Sequence, residues 1–89
     1  MIRSFHLVAD PGHSWLKVPV AELQRLGIES NISSYSYVRN GMAYLEEDCD
    51  LQVFLDARNA ENEPLKVKEI HRQRTSKIRK YQPYTPPVN

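Results

Sequence analysis

Cysteine is almost absent from this sequence, which has Cys49 alone among 89 residues. A single cysteine excludes an intrachain disulfide and is typical of proteins in a reducing compartment. Long apolar runs are also missing. No stretch approaches the roughly 18 apolar residues that a membrane-spanning helix needs, and residues 1–10 lack the apolar segment of a signal peptide. We therefore expect a cytoplasmic protein with no membrane partner.

Motifs that hold cofactors or carry out catalysis are absent as well. With three glycines in the chain, there is no glycine-rich phosphate-binding loop and no Gly-x-Ser-x-Gly sequence. The histidines His6, His13 and His71 have no partner at metal-ligand spacing. Four carboxylates surround Cys49 and disfavour its thiolate, although a helix N-terminus there would act in the opposite sense. We predict no catalytic residue, no metal and no cofactor.

Charges of both signs are present, but they are unevenly distributed. Residues 1–64 have five Lys or Arg against ten Asp or Glu, a net charge of −5. Residues 65–89 have seven against one, a net charge of +6. Such an asymmetry indicates either different partners for the two parts of the chain or attraction between them.

The pattern of apolar residues predicts one small α+β domain, since the chain is too short for two. Short apolar runs and two helical patterns follow in the order β-β-α-β-β-α-β. This order favours a small antiparallel or mixed sheet with two short helices on one face. We assign residues 1–71 to this domain. Residues 72–89 are assigned to a basic, proline-containing C-terminal arm that is loose from Tyr81 onward.

Local signals mark the ends of the first helix. Pro19 suits the first helical position, where no N–H is needed. Gly27 suits the end of the helix in a left-handed conformation, with Ile28 folded back on Leu23 as in a Schellman motif.

The segment Ile32–Glu47 has the residues of a β-hairpin. Its centre is Asn40-Gly41, the preferred pair for a type I′ turn. After the hairpin, Asp48 or Asp50 is placed to cap the second helix.

Aromatic and acidic residues of the hairpin form the first candidate binding surface. Tyrosines anchor protein interfaces because they bury a large area with few rotatable bonds, and an acidic segment can meet a basic partner. The surface comprises Tyr35, Tyr37, Tyr44, Glu46, Glu47, Asp48 and Asp50. The alternative is structural: the tyrosines belong to the core, and the acidic run is a strand end that leads into a helix, with Cys49 as a small buried residue.

Basic residues near the C-terminus form the second candidate surface. Lysine and arginine side chains bind nucleic-acid phosphates and release counterions, and Tyr81 and Tyr84 could stack on bases. The basic residues are Lys66, Lys68, Arg72, Arg74, Lys77, Arg79 and Lys80. The alternative is a solvated surface segment whose positive charges balance the negative charge of residues 1–64.

Four strings follow one another along the chain: DPGHSWLKVP at residues 10–19, LGI at 26–28, ISSYSY at 32–37 and AYLEEDCD at 43–50. Together they resemble a family of small uncharacterised proteins carried by bacteriophages, plasmids and bacteria. The resemblance covers most of the chain and implies a mobile-element setting, in which small accessory proteins often bind and block a host protein.

A looser resemblance covers the second strand, Pro19, a short helix and Leu26-Gly27-Ile28. This succession is similar to one half of the AbrB-type swapped-hairpin DNA-binding unit. That family usually has basic residues after the proline, where this chain has Val20, Ala21 and Glu22.

Two functions are compatible with these patterns. The first is a non-enzymatic accessory protein, plausibly encoded by a phage or mobile element, that binds and inhibits a host protein through the tyrosine and acidic residues. The alternative is a nucleic-acid-binding module that uses the basic C-terminal segment. Unpaired strand edges also permit a homodimer.

Overall fold

The computed structural model describes residues 3–87, which form a six-stranded sheet with two α-helices. The strands are β1 (Arg3–Ala9), β2 (Ser14–Pro19), β3 (Tyr37–Arg39), β4 (Met42–Glu46), β5 (Leu65–His71) and β6 (Gln82–Pro83). The helices are α1 (Val20–Arg25) and α2 (Leu51–Ala60), with 3-10 helices at Glu29–Asn31 and Lys77–Lys80. Residues 1–2 and 88–89, which the predicted domain and arm include, lie outside the described residues.

The strand order across the sheet is β5-β1-β2-β4-β3-β6. Strand β5 runs parallel to β1, with Val67 opposite Phe5, whereas the other neighbouring pairs are antiparallel. The parallel pairing is possible because α2 lies between β4 and β5 in the chain and provides the crossover connection. The protein is therefore α+β with a mixed sheet, one of the two sheet types that the sequence left open.

Helix α1 begins directly after β2 and ends in a Schellman motif, as the sequence predicts. Pro19 is the N-cap, with φ of −62° and ψ of 139°, so the helix begins one residue later than expected. Gly27 has φ of +69°. Its N–H donates to the carbonyl of Gln24, and the N–H of Ile28 donates to that of Leu23, both at 3.0 Å.

The hairpin of β3 and β4 is shorter than the sequence predicts. Asn40 and Gly41 have φ of 52° and 78°, the left-handed conformations that a type I′ turn requires. Tyr37 lies opposite Tyr44 in the ladder. However, β3 begins at Tyr37 and not at Ile32, so residues 32–36 are not part of the strand.

Asp50 is the reason that residues 33–36 form a turn. Its carboxylate accepts hydrogen bonds from the backbone N–H of Ser33 at 3.0 Å, from Ser33 Oγ at 2.7 Å and from Ser36 Oγ. This local bonding competes with a strand ladder. Asp50 is the N-cap residue of α2, but its side chain makes no capping hydrogen bond. The prediction that an aspartate side chain caps this helix is therefore wrong.

The sheet buries apolar residues on both of its faces. On the helix face, Leu16, Leu45 and Phe54 belong to the main core, which α1 and α2 cover. The opposite face, which we call the second face, has a smaller cluster of Trp15, Tyr44 and Ile78. Because side chains alternate along a strand, Trp15 and Leu16 reach different clusters although they are neighbours in sequence.

The C-terminal residues pack against the sheet, in contrast to the loose arm expected from Tyr81 onward. Ile78 is 3% exposed within the cluster on the second face, and Tyr84 is 4% exposed within the main core. Strand β6 pairs with β3, where Gln82 lies opposite Val38. Two isolated apolar side chains, without any periodic pattern, thus contribute to the packing of this segment on the body. Neither helix among the described residues has the length and apolar character needed to cross a membrane.

Candidate functional site

Three of the seven residues in the predicted tyrosine and acidic surface are buried. Asp50 is 2% exposed and is engaged by the two serines, so it is a structural residue. Glu46 is 7% and Tyr44 8% exposed. Tyr37 is half-buried against Trp15, with 6.4 Å between ring centroids. Neighbouring segments of the fold therefore cover Tyr44, Glu46 and Asp50, whereas Tyr37 is only partly covered.

Three residues of that surface remain exposed. Tyr35 is 70% exposed, since it lies in the turn before β3 and not in the strand. Glu47 and Asp48 are exposed in the turn between β4 and α2. Glu47 also accepts a hydrogen bond from Ser14 Oγ.

A buried carboxylate fastens the C-terminal segment to the body. Asp10 accepts hydrogen bonds from Arg79 Nε at 2.8 Å and Nη2 at 2.9 Å, and from the backbone N–H of Ser76 at 2.9 Å. The N–H groups of Gly12 and His13 donate to the same carboxylate. The hydrogen bond from Arg79 holds the pKa of the Asp10 carboxyl far below its usual range, against the opposing effect of burial.

Arg79 therefore has a structural role, and its place among the nucleic-acid-binding residues stays a prediction. Its guanidinium binds Asp10 and lies 5.6 Å from the centroid of the Trp15 ring. Tyr84 is also unavailable for base stacking, because it is buried and its hydroxyl donates to the carbonyl of Glu29. Tyr81 is half-buried, with its ring 5.0 Å from that of Tyr44.

Between the second face and the C-terminal segment lies a cavity of about 570 Å³. Strands β1, β2, β4 and β5 contribute one wall, and Arg72, residues 74–78 and Tyr81 contribute the rest. Four lining residues are cationic, and the lining includes no carboxylate. The lining residues are His6, Val8, Lys17, Tyr44, Ile70, Arg72, Arg74, Thr75, Ser76, Lys77, Ile78 and Tyr81.

Lys66 and Lys68 extend the positive charge beyond the cavity. Lys68 lies opposite His6 in the parallel ladder, and His6 lies opposite Lys17 in the next one. Residues opposite one another in a ladder share a face of the sheet, so these side chains form one row across three strands. We name the basic face by its six residues: Lys17, Lys66, Lys68, Arg72, Arg74 and Lys77.

The charges of the basic face are not neutralised by the protein. Within residues 3–87, none of its six cations takes part in an ion pair. Glu69 is the one acidic residue in this part of the sequence, but it lies opposite Leu7 and thus on the helix face. Lys80 is exposed at the end of its 3-10 helix and does not line the cavity.

Two residues that line the cavity, His6 and Lys17, were not among the predicted site residues. The signal for Lys17 was present in the alternation of β2, where it shares a face with Trp15 and not with Leu16. What the sequence did not provide was the parallel pairing of β5 with β1. That pairing brings Lys17 and the C-terminal cations to one surface.

The fold also brings together a second group of polar residues at the opposite end of β2. His13, Glu46 and Asp48 present possible ligand atoms that all lie within 4.8 Å of one another. Cys49 is exposed beside them. The Glu46 carboxylate next to its sulfur, followed by partial desolvation and the charges of Asp50 and Asp48, raises the pKa of the Cys49 thiol. A raised pKa disfavours the thiolate that a nucleophile requires.

Comparison with known proteins gives no relative for this chain. No protein-family model, no curated protein and no solved structure matches it. The resemblance to small phage and plasmid proteins therefore stays a prediction, and function has to be argued from the geometry.

Proposed function

We propose that this protein binds nucleic acid, without catalysis, through the basic face. The observation that supports this proposal is the gathering of six cations on one side of the sheet, none of which is ion-paired within residues 3–87. They lie beside a cavity whose lining includes no carboxylate. Such a surface attracts a polyanion and releases its counterions on binding.

The distribution of acidic residues supports the same proposal. On the helix face, Glu22 accepts hydrogen bonds from Arg25 and Arg58, and Glu63 binds Arg25. These carboxylates are paired with their own cations and lie on the other side of the sheet from the basic face. The near-neutral chain, with a net charge of +1, therefore has a strongly positive side.

The shape of the surface favours contacts with phosphates over contacts with bases. The cations stand on separate strands and on the C-terminal segment, and adjacent strands are about 4.8 Å apart. This spread suits a backbone that crosses the sheet. Tyr44 and Tyr84 are buried, and the half-buried Tyr81 packs with its ring 5.0 Å from that of Tyr44, so none of the three offers a fully free ring for stacking. We therefore expect little sequence preference.

Single charge removals test the proposal. Arg74→Ala and Lys77→Ala should each weaken the binding of a fluorescent DNA or RNA oligonucleotide, measured by anisotropy, and lower the salt slope by about 1. Lys80→Ala is the matched control, because it removes the same charge from the same segment outside the cavity. Equal losses in all three variants would show that only net charge matters and would overturn the role of the basic face.

A second function, binding of a host protein, is favoured by one observation. Tyr35 is a large side chain that is 70% exposed, beside a turn with exposed Glu47 and Asp48. Exposed tyrosines are typical anchors of interfaces. The resemblance to phage and plasmid proteins, and a cytoplasmic location suggested by the single cysteine, would suit an inhibitor of a bacterial protein.

The Tyr35→Ala variant tests this second function. A stoichiometric bacterial partner that co-purifies with the wild-type chain should be lost with Tyr35→Ala and retained with Asp56→Ala, a change at an exposed residue of α2. A partner that remains bound to Tyr35→Ala would exclude this surface.

A further inference from the structure

Three side chains from distant parts of the sequence meet beside the loop between β1 and β2. His13 belongs to that loop, Glu46 is the last residue of β4, and Asp48 lies in the turn before α2. One possible ligand atom from each lies within 4.8 Å of the other two. The separation in sequence explains why motif spacing did not predict a site here.

Glu46 supplies an independent sign that a ligand belongs at this place. The residue is 7% exposed, and one of its carboxylate oxygens, Oε2, is buried without a hydrogen-bond partner among the described residues. Its other oxygen, Oε1, lies 3.4 Å from Nδ1 of His13. A buried carboxylate oxygen without a donor is unfavourable, and a bound cation would satisfy it.

The protein holds this group in place without a metal. The backbone N–H of Glu46 donates to Ser36 Oγ at 2.9 Å, and its carbonyl accepts from the N–H groups of Cys49 and Asp50. His13 is held through its own backbone N–H and carbonyl, both of which bond to Asp10. The backbone positions of these two ligands are therefore fixed before an ion binds.

We infer that His13, Glu46 and Asp48 bind a divalent first-row transition-metal ion such as Zn²⁺. One imidazole nitrogen and two carboxylates are ligands that these metals accept, whereas Mg²⁺ and Ca²⁺ prefer oxygen alone. A cleft of about 320 Å³ lies against the three residues and has room for waters that complete the coordination. Arg79 lines the neighbouring cleft, but its charge is already paired with Asp10.

Calorimetric titration of the full, untagged chain with Zn²⁺ tests the site. We expect saturable binding of a single ion per chain, and an affinity lowered about tenfold or more by His13→Ala or Glu46→Gln. Co²⁺ should bind at the same site and show visible absorption that His13→Ala abolishes. His71→Ala is the matched control, because His71 is an exposed histidine 3.4 Å from the carboxylate of Glu69.

Each result has a definite meaning. Loss of binding in His13→Ala with retention in His71→Ala supports the site. If Glu46→Gln fails to fold, His13→Ala still decides, because this side chain is 47% exposed and its removal leaves the backbone bonds to Asp10 in place. Absence of saturable binding to the wild-type chain, or equal affinity in wild type and His13→Ala, would overturn the inference.

Discussion

Two buried aspartates hold distant segments of this small protein together. Asp10 and Asp50 are both buried, and each carboxylate accepts at least three hydrogen bonds from segments distant in sequence. The sequence pattern singled out Asp50 as a possible helix cap. It did not identify the partners, because those bonds depend on tertiary packing that leaves no local signal.

Asp10→Asn should destabilise the protein by about 2–4 kcal/mol, because it leaves Arg79 and Ser76 without their charged acceptor. Urea unfolding at pH 7 measures this loss. The matched control is Asp56→Asn in α2, where an exposed aspartate accepts from Gln52; its effect should stay within about 0.5 kcal/mol.

The same variant should change the pH dependence of stability. The folded-state pKa of Asp10 is lowered, so its stabilising contribution is complete above the unfolded-state pKa of about 4 and is lost as the pH falls below it. Wild type should therefore lose more free energy of unfolding between pH 6 and pH 3 than Asp10→Asn does. An identical acid dependence in both proteins would contradict the role given to this carboxylate.

At the scale of elements, local chemistry predicted the ends of helices and turns better than the extent of strands. Gly27 and Asn40-Gly41 have the positive φ values that their sequence context required. By contrast, Ile32 to Ser36 have residues typical of a strand but form a turn. The reason is that Ser33 and Ser36 bind Asp50, and this competition was not visible in strand propensity.

Ser36→Ala tests the turn as an element. Ser36 is fully buried, its hydroxyl donates to Asp50, and its oxygen accepts from the N–H of Glu46. Removal of the hydroxyl should cost about 1–3 kcal/mol, because it deprives two buried groups of a partner. Ser34→Ala, at an exposed position of the same turn, should have almost no effect in thermal unfolding. Comparable losses in the two variants would argue against this network.

At the scale of the whole molecule, the charge asymmetry of the sequence becomes a difference between the two sides of one sheet. Within residues 3–87, the contact between Asp10 and Arg79 is the one ion pair that joins the basic C-terminal segment to residues before β5. Apart from Lys80, the remaining cations of residues 65–87 belong to the basic face. The sequence predicted the charges but not their arrangement, since it depends on the crossover that places β5 beside β1.

Because the C-terminal segment is folded on the body, its deletion is not a clean test of binding. Ile78 and Tyr84 are buried in the two clusters, so deletion of this segment would expose apolar surface and would confuse loss of binding with loss of folding. Point variants of exposed cations avoid this problem, because surface substitutions usually change stability by less than about 0.5 kcal/mol.

The most direct test of the proposed function is the salt dependence of nucleic-acid binding by the intact chain. If three to five phosphates contact the basic face, the logarithm of the affinity for duplex DNA should fall with the logarithm of salt concentration with a slope of about −3 to −4.5. Arg74→Ala should make this slope shallower. Absence of binding at about 50 mM salt, where phosphate contacts are strong, would contradict the account.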